Sequence, residues 1–369
     1  MIPISYTGDL SDYNQFVTFF KAKLKATIEC GYIGKREKVT VKEAIAYYGS
    51  LIGWQRQKYD EAISKDQPGW QMMADTTVIL APKKIYNDQT KRFVRWANYW
   101  LDDLCNGVPE RLRLYITAFE FKFPEIADHG STLYNNVKQM FVNQGYESTK
   151  WNHGKLIEAT GVKVCPYCNR VFVENVVDGT GSVRGQLDHF YPKERYPYLA
   201  ISRYNLVPSC GYCNGKSGKG EKDPNNCGLV SPYELKDAQG VKFEATITSG
   251  RILSLDHCAQ SVSIKAVPVG AGLSENISTF HLEAIYNTHT DYVAEMYFKY
   301  CQMKTDAYKA FTKKMLSKAK KGRFAFHGLS MGDWQRIVFG VYSDEKDYYK
   351  RPMSKFCMDM FKDFKNKGL

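Results

Sequence analysis

A chain of 369 residues with 44% hydrophobic and 24% charged side chains can build two or three cored domains and is too apolar to be disordered. Lys and Arg outnumber Asp and Glu by 51 to 39, and the resulting charge of +12 favours a polyanionic partner without requiring one. No run approaches a membrane span, and the start Met1-Ile-Pro-Ile-Ser has neither a charged leader nor an apolar one, so a soluble cytoplasmic protein with no membrane partner is expected.

In chain order the pattern is helical, then mixed, then helical again. From about Asp12 to Tyr32, Phe16, Phe19, Phe20, Leu24 and Ile28 recur at helical spacing as one apolar stripe. Further helices are expected over Val41 to Ile63, Gln89 to Cys105, Pro109 to Phe121 and Ser131 to Asn143. The period shortens toward two at Val171-Phe172-Val173, and again over Val241 to Ile247 and Arg251 to Leu255, with Ser249-Gly250 as a hairpin turn between the last two. Helical spacing returns from about Ser274. No internal repeat or low-complexity tract interrupts this order. The expected class is α+β, with a helical region over residues 1–150, a compact module over 151–232, and a short β region leading into basic helices over 233–369.

The charge is concentrated at one end. Lys299 to Leu369 carries 17 Lys and Arg against 7 Asp and Glu. Lys313, Lys314, Lys318, Lys320, Lys321 and Arg323 form its densest part, either a solvated helix face or a track for phosphates.

Of the ten cysteines, six are scattered singly and do not read as a disulfide framework. The other four form Cys165-Pro-Tyr-Cys168 and Cys210-Gly-Tyr-Cys213. Two pairs of one spacing can close a tetrahedral structural zinc site. The insertion between them is too long for an ordinary zinc ribbon, so it must have structure of its own. It holds Asp188-His189, and Asn214 follows the second pair at once. A hard carboxylate oxygen, an imidazole and an amide oxygen are what a metal-dependent hydrolase needs: oxygen ligands for Mg²⁺ or Mn²⁺ and a base for water. Lys193, Lys216 and Lys219 flank the set and are candidates for phosphate contact. Asp256-His257 repeats the dipeptide without the cysteines and is read as a decoy. The aromatics from Tyr191 to Tyr198 are expected to pack under the cysteine loop rather than stack on bases.

Cys165-x-x-Cys168, Asp188-His189, Asn205-Leu206, Cys210-x-x-Cys213-Asn214 and Lys216 resemble the zinc-bearing HNH, or ββα-metal, endonuclease motif over roughly residues 160–220. The longer strings Cys-Pro-Tyr-Cys-Asn-Arg and Asp-His-Phe-Tyr-Pro-Lys are similar to bacterial HNH effectors of anti-phage systems such as Septu. The resemblance implies that Asp188 and Asn214 bind the catalytic metal, that His189 is the general base and that Asn205 braces the loop after it. It implies hydrolysis of phosphodiester bonds in nucleic acid, DNA being the expected form, in anti-phage defence. Two other readings stay open: a zinc-stabilised nucleic-acid-binding module that does not cut, and a partner-interaction subunit licensed by an ATPase or other sensor protein.

Overall fold

The computed structural model of the chain describes residues 1–30, 32–40, 78–84, 88–178, 180–236, 240–248, 254–318 and 330–368. Its first helix, Ser11–Cys30, buries Tyr13, Phe16, Val17, Phe20 and Leu24. Phe19 departs from the expected stripe and stays 40% exposed, because it stands about 100° behind Phe20 on the helix. The expected helix from Gln89 to Cys105 is two helices, Asp88–Tyr99 and Leu101–Asn106, meeting at Trp100. Pro109 opens the next, Pro109–Lys122, at the position where a missing N–H costs nothing. Ser131 caps Thr132–Lys138 through the Tyr134 N–H, and that helix widens into a π-helix, Gln139–Tyr146. The segment Val41 to Ile63 lies outside the described residues.

The described strands form antiparallel pairs: β1 (Tyr32–Thr40) with β2 (Val78–Lys84), β3 (Val176–Val177) with β4 (Ser182–Val183), β5 (Gln186–His189) with β6 (Leu206–Ser209), and β7 (Val241–Ile247) with β8 (Val262–Pro268). The first pair was not expected from the sequence pattern. At Val171-Phe172-Val173 the structure forms only an isolated bridge between Val164 and Phe172. The partner of β7 is also displaced from the expected Arg251 to Leu255. Ser254 accepts the His257 N–H and caps a helix, Leu255–Gln260, and the strand comes after it. A local cap outweighs the alternating pattern there. Residues 249–253 lie outside the described residues.

The pair β7–β8 shows how two strands survive without a larger sheet. Phe243 opposes Ala266 and Ala245 opposes Ile264, and all four N–H groups point away from the partner strand. Asp359 and Asp363, four apart on the helix Ser354–Lys367, accept the N–H groups of Phe243 and Ala245 at 3.2 and 3.1 Å. On the other edge, Glu283 and Asn287 accept those of Ala266 and Ile264 at 3.0 and 2.9 Å. Four helical residues rise about 6 Å and two strand residues about 6.6 Å, so the two periods match. Both edges are thereby closed to further strand pairing.

Among the described residues one continuous core joins the helices to β5, β6, β7 and β8. The N-terminal residues cross it as an extended thread, with Ile2 N–H donating to Pro166, Ile4 N–H to Pro232, and Thr7 and Gly8 N–H to Ala159. A Cβ on Gly8 would lie 3.1 Å from the Ala159 Cα, so glycine permits this approach. Asn169, at φ +53° and buried, accepts Met353 N–H and Lys355 N–H and donates to the Tyr348 carbonyl. Contacts therefore run from residues 151–232 to the segments on either side of them.

Replacing Asp363 with Ala should strand the buried Ala245 N–H and cost on the order of 1–3 kcal/mol, while Asp363→Asn, which keeps an acceptor, should cost less. Urea unfolding with unchanged slope checks this, and equal stability of the alanine variant and the parent would contradict it.

Candidate functional site

The hairpin β5–β6 carries the site. Gln186 pairs with Ser209, Leu187 with Pro208, Asp188 with Val207 and His189 with Leu206. This register sets Cys210, just past β6, at the open end of the hairpin. Cys210 precedes a one-turn helix, Gly211–Asn214, whose turn brings Cys213 back beside it. The first pair sits on its own tight turn, closed by Asn169 N–H to the Cys165 carbonyl at 2.7 Å.

All four thiols are buried and lie within 4.8 Å of one another, with Cys168 and Cys210 sulfurs 3.9 Å apart. A tetrahedron with Zn–S near 2.3 Å has sulfurs about 3.8 Å apart, so the set can hold a zinc ion. Bonding to Cys165 pulls the Cys168 and Cys210 thiols down and pushes Cys213 up, while burial pushes Cys165 up. Thiolates this close repel one another, and a dication among them would offset that charge.

Asn205 is buried and uses its whole side chain. Its Oδ1 accepts Tyr191 N–H at 2.7 Å, and its Nδ2 donates to the Tyr191 and Leu199 carbonyls, both at 3.1 Å. The loop between β5 and β6 is thus tied across its width. Tyr191, Tyr196 and Tyr198 are buried in it, and Tyr198 stacks on Phe119 at 4.5 Å.

Asp188 and His189 leave the strand on opposite faces, as consecutive residues do. His189 turns toward the loop and the N-terminal helices. Its Nε2 lies 3.0 Å from the Ala200 carbonyl, its edge meets the Tyr146 ring at 4.4 Å, and Tyr146 stacks in turn on His153 at 4.5 Å. A carbonyl can only accept, so Nε2 carries the proton and Nδ1 keeps the lone pair. Burial, then the Lys193 charge, pushes the His189 pKa down to about 3. The ring is therefore neutral at ordinary pH.

Asp188 turns the other way, toward the cysteine turns. Tyr167 OH donates to its Oδ2 at 2.6 Å and the Lys219 ammonium to its Oδ1 at 3.1 Å. The side chains of Lys219 and Asp188 are 0% and 3% exposed. Asn214 is half-buried and donates its amide to Gln186 at 2.8 Å. Each carboxylate oxygen of Asp188, expected with Asn214 to hold Mg²⁺ or Mn²⁺, already accepts one hydrogen bond. Lys219 was expected at a phosphate and is instead sealed inside.

Lys193 lies over the Tyr146 ring at 5.1 Å and pairs with Glu147 at 3.6 Å, and Lys216 is exposed. Lys313 and Lys314 are exposed on the helix Asp306–Lys318, whereas Lys320, Lys321 and Arg323 lie outside the described residues. The decoy Asp256-His257 lies in the first turn of Leu255–Gln260. The motif gave no signal for Tyr146, which ends the π-helix, or for His153, which opens the helix His153–Thr160. Gly145 marks the approach, since a Cβ there would lie 3.0 Å from Ile201 Cγ2. Tyr167 and Gln186 were visible in the sequence but had no assigned partner.

A stretch of 47 residues, 13% of this chain, is 43% identical to the Septu protein PtuB of Bacillus thuringiensis. The match spans 18% of the length of that relative. No family model and no solved structure matches the chain. Among the described residues no helix is long and apolar enough to cross a membrane.

About one zinc per chain should survive dialysis, since structural thiolate sites bind it with roughly 10–16 kcal/mol of apparent free energy in small domains. Replacing Cys168 or Cys210 with Ser should lose it and lower the melting temperature together. Elemental analysis finding no zinc in folded parent would contradict the assignment.

Proposed function

We propose that the chain is a nuclease of the HNH type that hydrolyses phosphodiester bonds, acting as an effector of anti-phage defence. The observation that carries this reading is His189, whose Nε2 is pinned by the Ala200 carbonyl so that a neutral Nδ1 is left to take a proton. The short identity to Septu protein PtuB supports the defence role. Nδ1 would accept a proton from water as the oxygen attacks phosphorus. The bond from phosphorus to the 3′ oxygen then breaks, and solvent protonates the leaving oxygen.

The low pKa of His189 keeps it unprotonated but also makes it a weak base. An incoming phosphodiester carries negative charge to the Lys193 side of the ring, which offsets that cation and raises the basicity where it is needed. Lys193 and Lys216 would meet phosphates. Asn205 acts on the loop rather than on substrate. The rival reading, an interaction subunit licensed by an ATPase or other sensor protein, would need that partner present for any cleavage.

The test is cleavage of plasmid, single-stranded DNA and RNA by purified protein, with and without added Mg²⁺ or Mn²⁺. His189→Ala should lower the rate by about 10²–10⁴-fold, the usual worth of a positioned base, with zinc content and melting temperature near those of the parent. Equal cleavage by parent and variant would remove His189 from the chemistry. A parent that binds but cleaves none of the three substrates would favour a non-cutting binding module.

A further inference from the structure

Lys219 is buried by construction. The chain doubles back after Gly211–Asn214, with Gly218 N–H on the Gly215 carbonyl and Lys219 N–H on that of Cys213. A Cβ on Gly218 would lie 2.5 Å from the carbonyl oxygens of Tyr212 and Cys213, and Gly220 has φ +50°. These two glycines permit the turn that drives Lys219 inward beneath the second cysteine pair. The ammonium has three donors and meets three acceptors: Asp188 Oδ1 at 3.1 Å, the His189 carbonyl at 2.7 Å and the Gly220 carbonyl at 3.4 Å. On the far side of the carboxylate, Tyr167 OH holds Oδ2.

A divalent ion entering at Asp188 would meet an ammonium already seated there, in surroundings where like charges are poorly screened. Removing either partner alone would leave the other charge buried and unpaired. We propose that Lys219 is the resident cation of Asp188, filling the place a divalent ion would take on that carboxylate, and that it fixes the base strand through the His189 carbonyl. Lys219 is then a positioning residue rather than a catalytic one. The link to catalysis rests on His189 being the base, while the cation assignment stands on geometry alone.

The experiment is a Mn²⁺ titration of the zinc-loaded full chain without nucleic acid, read by the paramagnetic resonance of free Mn²⁺. Parent and Asp188→Asn should bind equally little. Lys219→Met should melt lower by roughly 5 °C or more, and should gain about one Mn²⁺ that restores much of the loss. Lys219→Met combined with Asp188→Asn should recover stability without Mn²⁺ and bind no extra ion. Mn²⁺ bound by the parent and lost in Asp188→Asn would overturn the proposal, as would a Lys219→Met variant of parental stability that binds none. If Lys219→Met does not fold, the comparison of parent with Asp188→Asn decides alone. Because no substrate is present, failure of the nuclease reading would leave this result standing, and the reverse also holds.

Discussion

Four buried thiols within 4.8 Å of one another are the constraint on which the other parts depend. A structural zinc at such a site contributes roughly 10–16 kcal/mol in small domains, while a whole protein is stable by about 5–15 kcal/mol. The two magnitudes overlap, so a zinc bound at these thiols would contribute about as much as the net stability of a whole fold. Contacts from distant segments converge on the first cysteine turn. Ile2 N–H reaches Pro166 inside the first pair, Tyr286 OH reaches the Cys168 carbonyl at 2.6 Å, and Met353 N–H reaches Asn169 next to it. Segments from both ends of the chain close on the same turn.

The parts legible in the sequence are those whose chemistry is local or whose spacing is fixed. Two Cys-x-x-Cys pairs announce a four-thiol site because a short turn can present two sulfurs to one ion. The helices opened by Ser11 and Pro109 were legible because their apolar positions repeat with the helical period. The partner of β7, Val262–Pro268, was not foreseen because a serine cap at Ser254 opens a helix before it. Tyr146, His153 and the inward turn of Lys219 were not legible at all. They depend on close approach at Gly145 and on a doubled-back loop at Gly218 and Gly220, which no period encodes.

The Asp-His dipeptide shows why a motif fixes residues more firmly than roles. Strand alternation sends the two side chains to opposite faces, and each face has its own electrostatics. Lys219 pairs with Asp188 and Tyr167 donates to it, whereas burial and Lys193 keep His189 uncharged. Lys219 touches both, through the carboxylate of one and the main-chain carbonyl of the other. A charge on one face is thereby coupled to the position of the ring on the other.

The aromatic content of the chain finds its use in the same frame. Tyr6 OH donates to the Arg203 carbonyl, Tyr13 OH to that of Ile201, Tyr134 OH to that of Glu194 and Tyr233 OH to that of Leu206, at 2.5–2.9 Å. Tyr286 does the same at Cys168. Tyrosine suits the task because its ring packs in the core while its hydroxyl donates to a main-chain carbonyl there. Each bond contributes about 0.5–1.5 kcal/mol, spread over the segments that pack around the hairpin. Main-chain acceptors place no demand on side-chain identity at the receiving positions. The frame around the hairpin can therefore be extensive while the motif that reveals it stays confined to a few dozen residues.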